Sequence, residues 1–303
     1  MKFNWQTKLK NSRFCNWKWY LQLFVMLLSG ITLINAFFNG ILKEQWYFES
    51  NNLYQPTRLI NYDILLSFFS VQVSIITTIY LLIVVINYKN PNSNINTQRT
   101  RNIVLNWNLL DFMIFWIGII GFKNTIAGQL PYLTKTQIFS TVITHFIVPL
   151  LLLFIYLFES GNNKYEIKKF YKNIKELFWV YSYPFFYTLF VLMRAQIYLK
   201  DKNIDNFIYP YEFLDFTTPY IGNSKIGYLI LIWIIFVIWL TLNHLIILLI
   251  NNLIFKIKNK KKKNRNFKLV TIFLIFYKRI FRLIIVVINY FLINLFFFIN
   301  FFI

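Results

Sequence analysis

Residues 226–255 read IGYLILIWIIFVIWLTLNHLIILLINNLIF, and KIKNKKKKNRNFK follows at 256–268. The first stretch carries no Lys, Arg, Asp or Glu over 30 residues, and the second carries eight Lys and Arg in 13. About 20 apolar residues suffice for a helix to cross a hydrocarbon core of roughly 30 Å, so the pair predicts a spanning helix that stops on a basic anchor. Similar apolar stretches recur upstream at 20–42, 64–86, 103–122, 138–158 and 177–197, and once downstream at 283–303. A transmembrane barrel would instead show segments of about 10 residues that alternate polar and apolar. The expected fold is therefore all-α: a polytopic membrane helix bundle of six spans with a seventh, C-terminal hydrophobic helix. The composition, 57% hydrophobic and 14% charged, excludes a water-soluble monomer, since soluble domains are about 25% charged.

The basic residues give the orientation. Lys and Arg number 21 in segments 1–19, 87–102, 159–176 and 256–268, against seven in 43–63, 123–137 and 198–225. The positive-inside rule puts the first set, with the N-terminus, in the cytoplasm. Four parts follow: a basic N-terminus (1–19), a six-span bundle (20–255), a lysine-rich segment (256–268) and a hydrophobic tail (269–303). The first span is kept as an anchor, because its apolar run exceeds the 7 to 15 residues of a signal peptide and ends in NAFFNG with no A-x-A site. Abundant Lys, Asn, Ile and Phe suggest AT-rich coding, which makes a bacterial plasma membrane the expected location.

Several function classes drop out. The formal charge of +21 follows from membrane orientation and from attraction to anionic lipids, so membrane lipids and no nucleic acid are the expected partners. Cys15 is the one cysteine and there are two histidines, which leaves no intramolecular disulfide and no histidine-rich metal site. Eight scattered glycines form neither a dinucleotide fingerprint nor a phosphate loop. No cofactor and no metal are expected.

Ionisable groups inside a membrane cost several kcal/mol unless they face the interior, so they are candidate functional residues. Here they are Asp111, His145, Arg194 and His244. Arg194 sits near the outer end of its span and is expected to meet Glu212 or Asp215 of the following loop at the rim. His244 lies close to the cytoplasmic end, where a helix-packing role is expected. His145 is about seven residues, roughly 10 Å, from the outer face, and Ser70 on the second span is roughly 9 Å from it. A serine and a histidine at one depth permit covalent acyl transfer, with the imidazole taking the hydroxyl proton; bonding of the serine hydroxyl to its own backbone is the ordinary alternative.

Phe68-Phe69-Ser70-Val71-Gln72 resembles the aromatic-Phe-Thr-x-Gln-Ser-Asn motif of the androgen-induced and androgen-dependent TFPI-regulating membrane proteins and their uncharacterised bacterial relatives. Thr144-His145-Phe146-Ile147-Val148-Pro149 is similar to that family's His-x-x-x-Pro. Tyr183-Pro184, Tyr187, Arg194, then Tyr209-Pro210-Tyr211-Glu212-Phe213-Leu214-Asp215 and Gly227-Tyr228 follow in order. The resemblance covers about residues 20–255. It implies a six-span fold and, from the animal members, a hydrolase that cleaves esters between a fatty acid and a hydroxy fatty acid. Ser70 then takes the place of the family's threonine and His145 that of its histidine, while Val73-Ser74 stands where the motif has Ser-Asn.

Two readings of function stand open. In the first, an intramembrane Ser/His hydrolase or acyl-transfer enzyme acts on an apolar lipid ester, with Ser70 and His145 catalytic and Gln72, Arg194 and Asp111 binding substrate. In the second, the chain is non-catalytic, either a small transporter using the interior around Asp111 and His145 or an assembly partner in a membrane complex.

Overall fold

The computed structural model describes residues 16–47, 57–88, 95–121, 133–167, 174–200, 208–219 and 221–263. The expected seventh helix at 283–303 and most of the basic N-terminus lie outside these residues. Among the described residues the protein is all-helical, with no strand. Its elements are α1 (Trp17–Phe37, continued by a π turn Phe38–Lys43), α2 (Arg58–Ser67), α3 (Phe69–Ile86), α4 (Gln98–Gly121), α5 (Lys135–Val142), a π turn Ile143–Ile147, α6 (Val148–Glu159), α7 (Ile174–Tyr198) and α8 (Lys225–Lys263).

Four helical stretches are long and apolar enough to cross a membrane: Trp17–Lys43, Phe69–Ile86, Lys135–Glu159 and Lys225–Lys260. They make this a multi-pass membrane protein. α4 and α7 have 24 and 25 residues but are less apolar, because α4 carries three asparagines and Asp111, and α7 carries Glu176 and Arg194. Expected span two is two helices rather than one: α2 starts before the apolar stretch does, and it stops at Ser67.

Local chemistry starts several of these helices. Asn16 and Thr57 cap α1 and α2 by accepting from the amides of Lys18 and Ile60, and Thr134 caps α5 through Gln137. Large apolar residues face outward as well as inward, and polar residues are buried within the apolar core. Ile34, Phe186, Met193 and Ile226 point outward, while Ser29, Thr32, Thr77, Asn106, Asn108 and Asp111 are buried. Small and hydroxylated residues let helices approach closely in lipid. Ser29 meets Thr78 at 2.8 Å where α1 runs along α3.

Contacts sort the helix ends into two groups. At one end, the Trp19 indole donates to the Val85 carbonyl, Lys18 to that of Phe158, and Lys258 to that of Ser160. Arg101 faces Glu159 at 3.7 Å and Asn102 donates to Glu176 there. At the other end, Glu44 accepts from Trp46, Thr134 and Thr136, and Asp63 accepts from Arg194 and Tyr198. The first will be called the basic end and the second the loop end.

Candidate functional site

The segment between α2 and α3 is a helix break inside the bundle. Phe68 is extended, with φ −73° and ψ 132°, so the last carbonyls of α2 and the first amides of α3 lose their helical partners. Orphaned backbone groups of this kind cost several kcal/mol each in an apolar surround. Three side chains meet that demand. The Tyr187 hydroxyl donates to the Ser67 carbonyl at 2.8 Å and lies within hydrogen-bond range of the Phe69 amide. The Gln72 amide donates back to the Leu66 carbonyl at 2.8 Å, and Tyr183 donates to the Gln72 side-chain oxygen at 3.2 Å. Tyr211, from the loop after α7, brings its hydroxyl beside Ser70 and the start of α3. Ser70 therefore sits, buried, in the first turn of α3.

His145 occupies a second interruption. Pro149 lacks an amide hydrogen, and its ring crowds the carbonyl four residues earlier, which is that of His145. The chain relieves this by widening into the π turn Ile143–Ile147 before α6 resumes. Such bulges recur at functional sites. His145 Nδ1 is 3.0 Å from the Thr141 carbonyl and 2.9 Å from the Thr144 hydroxyl. A carbonyl accepts only, so Nδ1 carries the hydrogen and Nε2 the lone pair of the neutral ring. Nε2 faces Asp111 Oδ1 at 3.7 Å, within ion-pair range and beyond a hydrogen bond. Phe115 stacks on the imidazole with centroids 4.2 Å apart.

α3, which begins at the first interruption, packs along its length against the π turn that forms the second. Asp111 is close enough to Tyr183 and Tyr211 to act on both electrostatically. The interior site thus comprises Ser70, Gln72, Tyr183 and Tyr211 on one side and Asp111 and His145 on the other. Ser70 and His145 share no hydrogen bond; Tyr211 neighbours the first, and Thr141, Thr144 and Asp111 surround the second. Among the described residues, no three His, Cys, Asp or Glu side chains gather in a way that could hold a metal. A cavity of about 20 Å³, bordered by Gln22, Tyr80, Arg101 and Tyr156, lies ten residues or roughly 15 Å along α3 from Ser70 and is no part of this site.

No family model matches the chain, and no curated protein or solved structure matches it either. The site must be read from its own chemistry.

The described contacts of Arg194 reach beyond the expected rim partners. Its Nε donates to Asp63 at 2.6 Å, its Nη1 to the Ile208 carbonyl at 2.7 Å, and its guanidinium lies over the Tyr198 ring. Asp215 instead caps its own turn, accepting from Thr217 and Thr218; the Glu212 side chain lies outside the described residues. Arg194 thus latches α2, α7 and the start of the Tyr211 loop together. Sequence reading missed the roles of Tyr183, Tyr187 and Tyr211, although all three fall in the tyrosine-bearing motifs. It also missed Glu176, 3.6 Å from His244.

Proposed function

We propose that the chain is a six-span protein of a bacterial plasma membrane, with the basic end in the cytoplasm, and that its interior site hydrolyses or transfers the acyl group of an apolar ester. The observation that carries this reading is a pair of helix interruptions in packed elements, one presenting Ser70 and the other the Asp111-paired His145. Irregular backbone at membrane depth is tolerated only where it is buried in protein or lines a cavity, and here both irregularities fall on hydroxyl and imidazole groups. Resemblance to the androgen-induced and androgen-dependent family supports the same two residues.

In this mechanism Ser70 Oγ attacks the ester carbonyl as His145 Nε2 takes its proton. Asp111 stabilises the imidazolium. The amides at the start of α3 receive the oxyanion in place of the Tyr211 hydroxyl. Collapse breaks the ester C–O bond, and the leaving alkoxide takes the proton from His145. Water, or a second alcohol, then attacks the acyl-serine by the same route. Gln72 and Tyr183 border the acyl carbonyl. The substrate reaches Ser70 sideways from the lipid.

A fluorophosphonate probe applied to native membranes tests this reading. Wild type labels, Ser70→Ala does not, and His145→Ala labels at least tenfold more slowly. Absence of labelling on folded wild-type protein overturns it. The non-catalytic alternative, a small transporter or an assembly partner, draws on one observation: His145 Nε2 faces Asp111 and not Ser70. Folded wild-type protein that takes up no label favours that alternative, whereas labelling that persists in Ser70→Ala removes Ser70 as the nucleophile.

A further inference from the structure

At the basic end, a second histidine and carboxylate pair lies outside the site above. His244 on α8 is fully buried, and its Nε2 is 3.6 Å from Glu176 Oε1 on α7. Neither ring nitrogen of His244 has a hydrogen-bond partner, and the same holds for Asn106 Oδ1 and Asn243 Nδ2. Unpartnered polar atoms in a protein interior are rare and each calls for an explanation. The neutral ring carries a single N–H, on either nitrogen; taking up a proton puts one on both, so that whichever way the hydrogen began, Nε2 then donates to the Glu176 carboxylate as a charge-assisted bond.

The surroundings connect this pair to a covering loop. Glu176 accepts from Asn102 at 2.6 Å and lies beside Tyr165, and Asn102 also donates to the Tyr165 hydroxyl at 3.1 Å, so that one amide ties the carboxylate to the loop. Tyr165 belongs to the loop after α6, which is clamped on α8: Asn251 accepts from the Gly161 amide and Asn252 from the Tyr165 amide, at 2.7 and 2.8 Å. Both asparagines also donate back to loop carbonyls. Gly161, at φ 77°, approaches α8 so closely that a Cβ would lie 2.6 Å from Ile254. The titratable and charged groups around the pair are Arg99 and Arg101 from α4, Tyr156 and Glu159 from α6, Tyr165 from the loop and Lys258 from α8. Two of these, Arg101 and Glu159, already pair with each other.

We propose that His244 and Glu176 form a proton-binding site that controls the loop of residues 160–165. A proton from water at the basic end is taken up between Glu176 and His244 Nε2, and the carboxylate closes on the imidazolium. That movement draws Glu176 away from Asn102 and Tyr165, and the loop loses its innermost anchor. Release of the proton restores the contact. The proposal does not depend on acyl transfer at Ser70.

The chain contains two histidines, which makes the test direct. Full-length protein with ¹⁵N-labelled imidazoles, in lipid nanodiscs, gives two histidine signals, assigned by His244→Gln. The expected result is that His244 titrates between the folded limits of pH, that Glu176→Gln lowers its midpoint by at least one pH unit, and that amide exchange at Gly161 and Tyr165 speeds up at least threefold as His244 gains its proton. An unchanged His145 signal certifies the fold of the variant. If Glu176→Gln fails that check, Tyr165→Phe serves: His244 still titrates, and the exchange at Gly161 no longer follows it. A His244 that keeps one protonation state throughout, or loop exchange that ignores its titration, overturns the proposal.

Discussion

Replacing Tyr187 by phenylalanine removes one oxygen from the most demanding place in the backbone. The ring stays, packed edge-on against Phe69 with centroids 5.0 Å apart, so the substitution isolates the hydroxyl. That hydroxyl serves the Ser67 carbonyl at 2.8 Å and the Phe69 amide on either side of the Phe68 break. A buried polar group left unsatisfied costs about 1–3 kcal/mol. Two such groups set an upper bound of about 6 kcal/mol, but Tyr211 also reaches the Phe69 amide, which leaves the Ser67 carbonyl as the main loss. The expected destabilisation is therefore about 2 kcal/mol, close to a thirtyfold change in the unfolding equilibrium. Unfolding in mixed micelles with rising denaturing detergent measures it, with the outward-facing Tyr20→Phe as a control expected to move by less than about 0.5 kcal/mol. Gln72→Leu, which strips the Leu66 carbonyl of its donor, should cost about as much, and the double variant should deviate from additivity because both side chains serve one break. A Tyr187→Phe protein as stable as wild type would refute the account of how the break is held.

Three further outcomes are expected. Gly161→Ala should cost about 3 kcal/mol in the same assay, because φ is 77° and the added methyl meets Ile254 and the Phe255 backbone, whereas Gly222→Ala, at φ 70° with nothing within 4 Å, should cost about 1 kcal/mol. Arg194→Met should cost about 2 kcal/mol, mainly by leaving the Ile208 carbonyl without its donor, since Asp63 is partly solvated and keeps Tyr198, and Arg194→Lys should not restore the loss, since an ammonium does not reproduce the fork of guanidinium donors. Hydrogen bonds from Thr134, Thr136 and Trp46, with the Lys43 charge, hold the Glu44 carboxyl below its usual range. A carboxyl lowered in the folded state stabilises it above the unfolded value of about 4.3 and ceases to do so as pH falls through the folded value. Amide exchange at 44–47 and 134–137 should therefore rise below about pH 4, and Glu44→Gln should abolish that pH dependence.

The apolar helices were legible because membrane burial demands long uncharged stretches, and 226–255 satisfies that demand without help from its neighbours. The break at Phe68 was not, because hydropathy is blind to backbone conformation when both flanks are apolar: Leu65-Leu66 and Phe68-Phe69 read as one continuous span. Its signal lay in polar residues spaced around it, Ser67, Ser70 and Gln72, whose tertiary partners Tyr187 and Tyr211 come from distant sequence. His145 was better announced, since Pro149 four residues on predicts a distortion there. Arg194 was matched to the nearest acidic loop in sequence; Asp63, a partner 131 residues away, was not foreseen because it sits one residue before the apolar stretch 64–86 begins. Matching Glu176 to His244 needed only the depth arithmetic that had matched Ser70 to His145, applied to the opposite end.

Splitting the second span has a consequence for how the protein responds to its bilayer. α3 contains 18 residues, about 27 Å of helix, slightly less than a hydrocarbon core of roughly 30 Å. α8, with 39 residues, is about 58 Å long and accommodates any thickness by tilting or protruding. Hydrophobic mismatch therefore concentrates on α3, whose first turn carries Ser70. Thinner membranes relieve that mismatch, and thicker ones must dimple around Phe69 and Ser70 or draw the Tyr211 loop inward. Acyl-chain length thereby becomes a control on the access of solvent and lipid to the serine, with no ligand required.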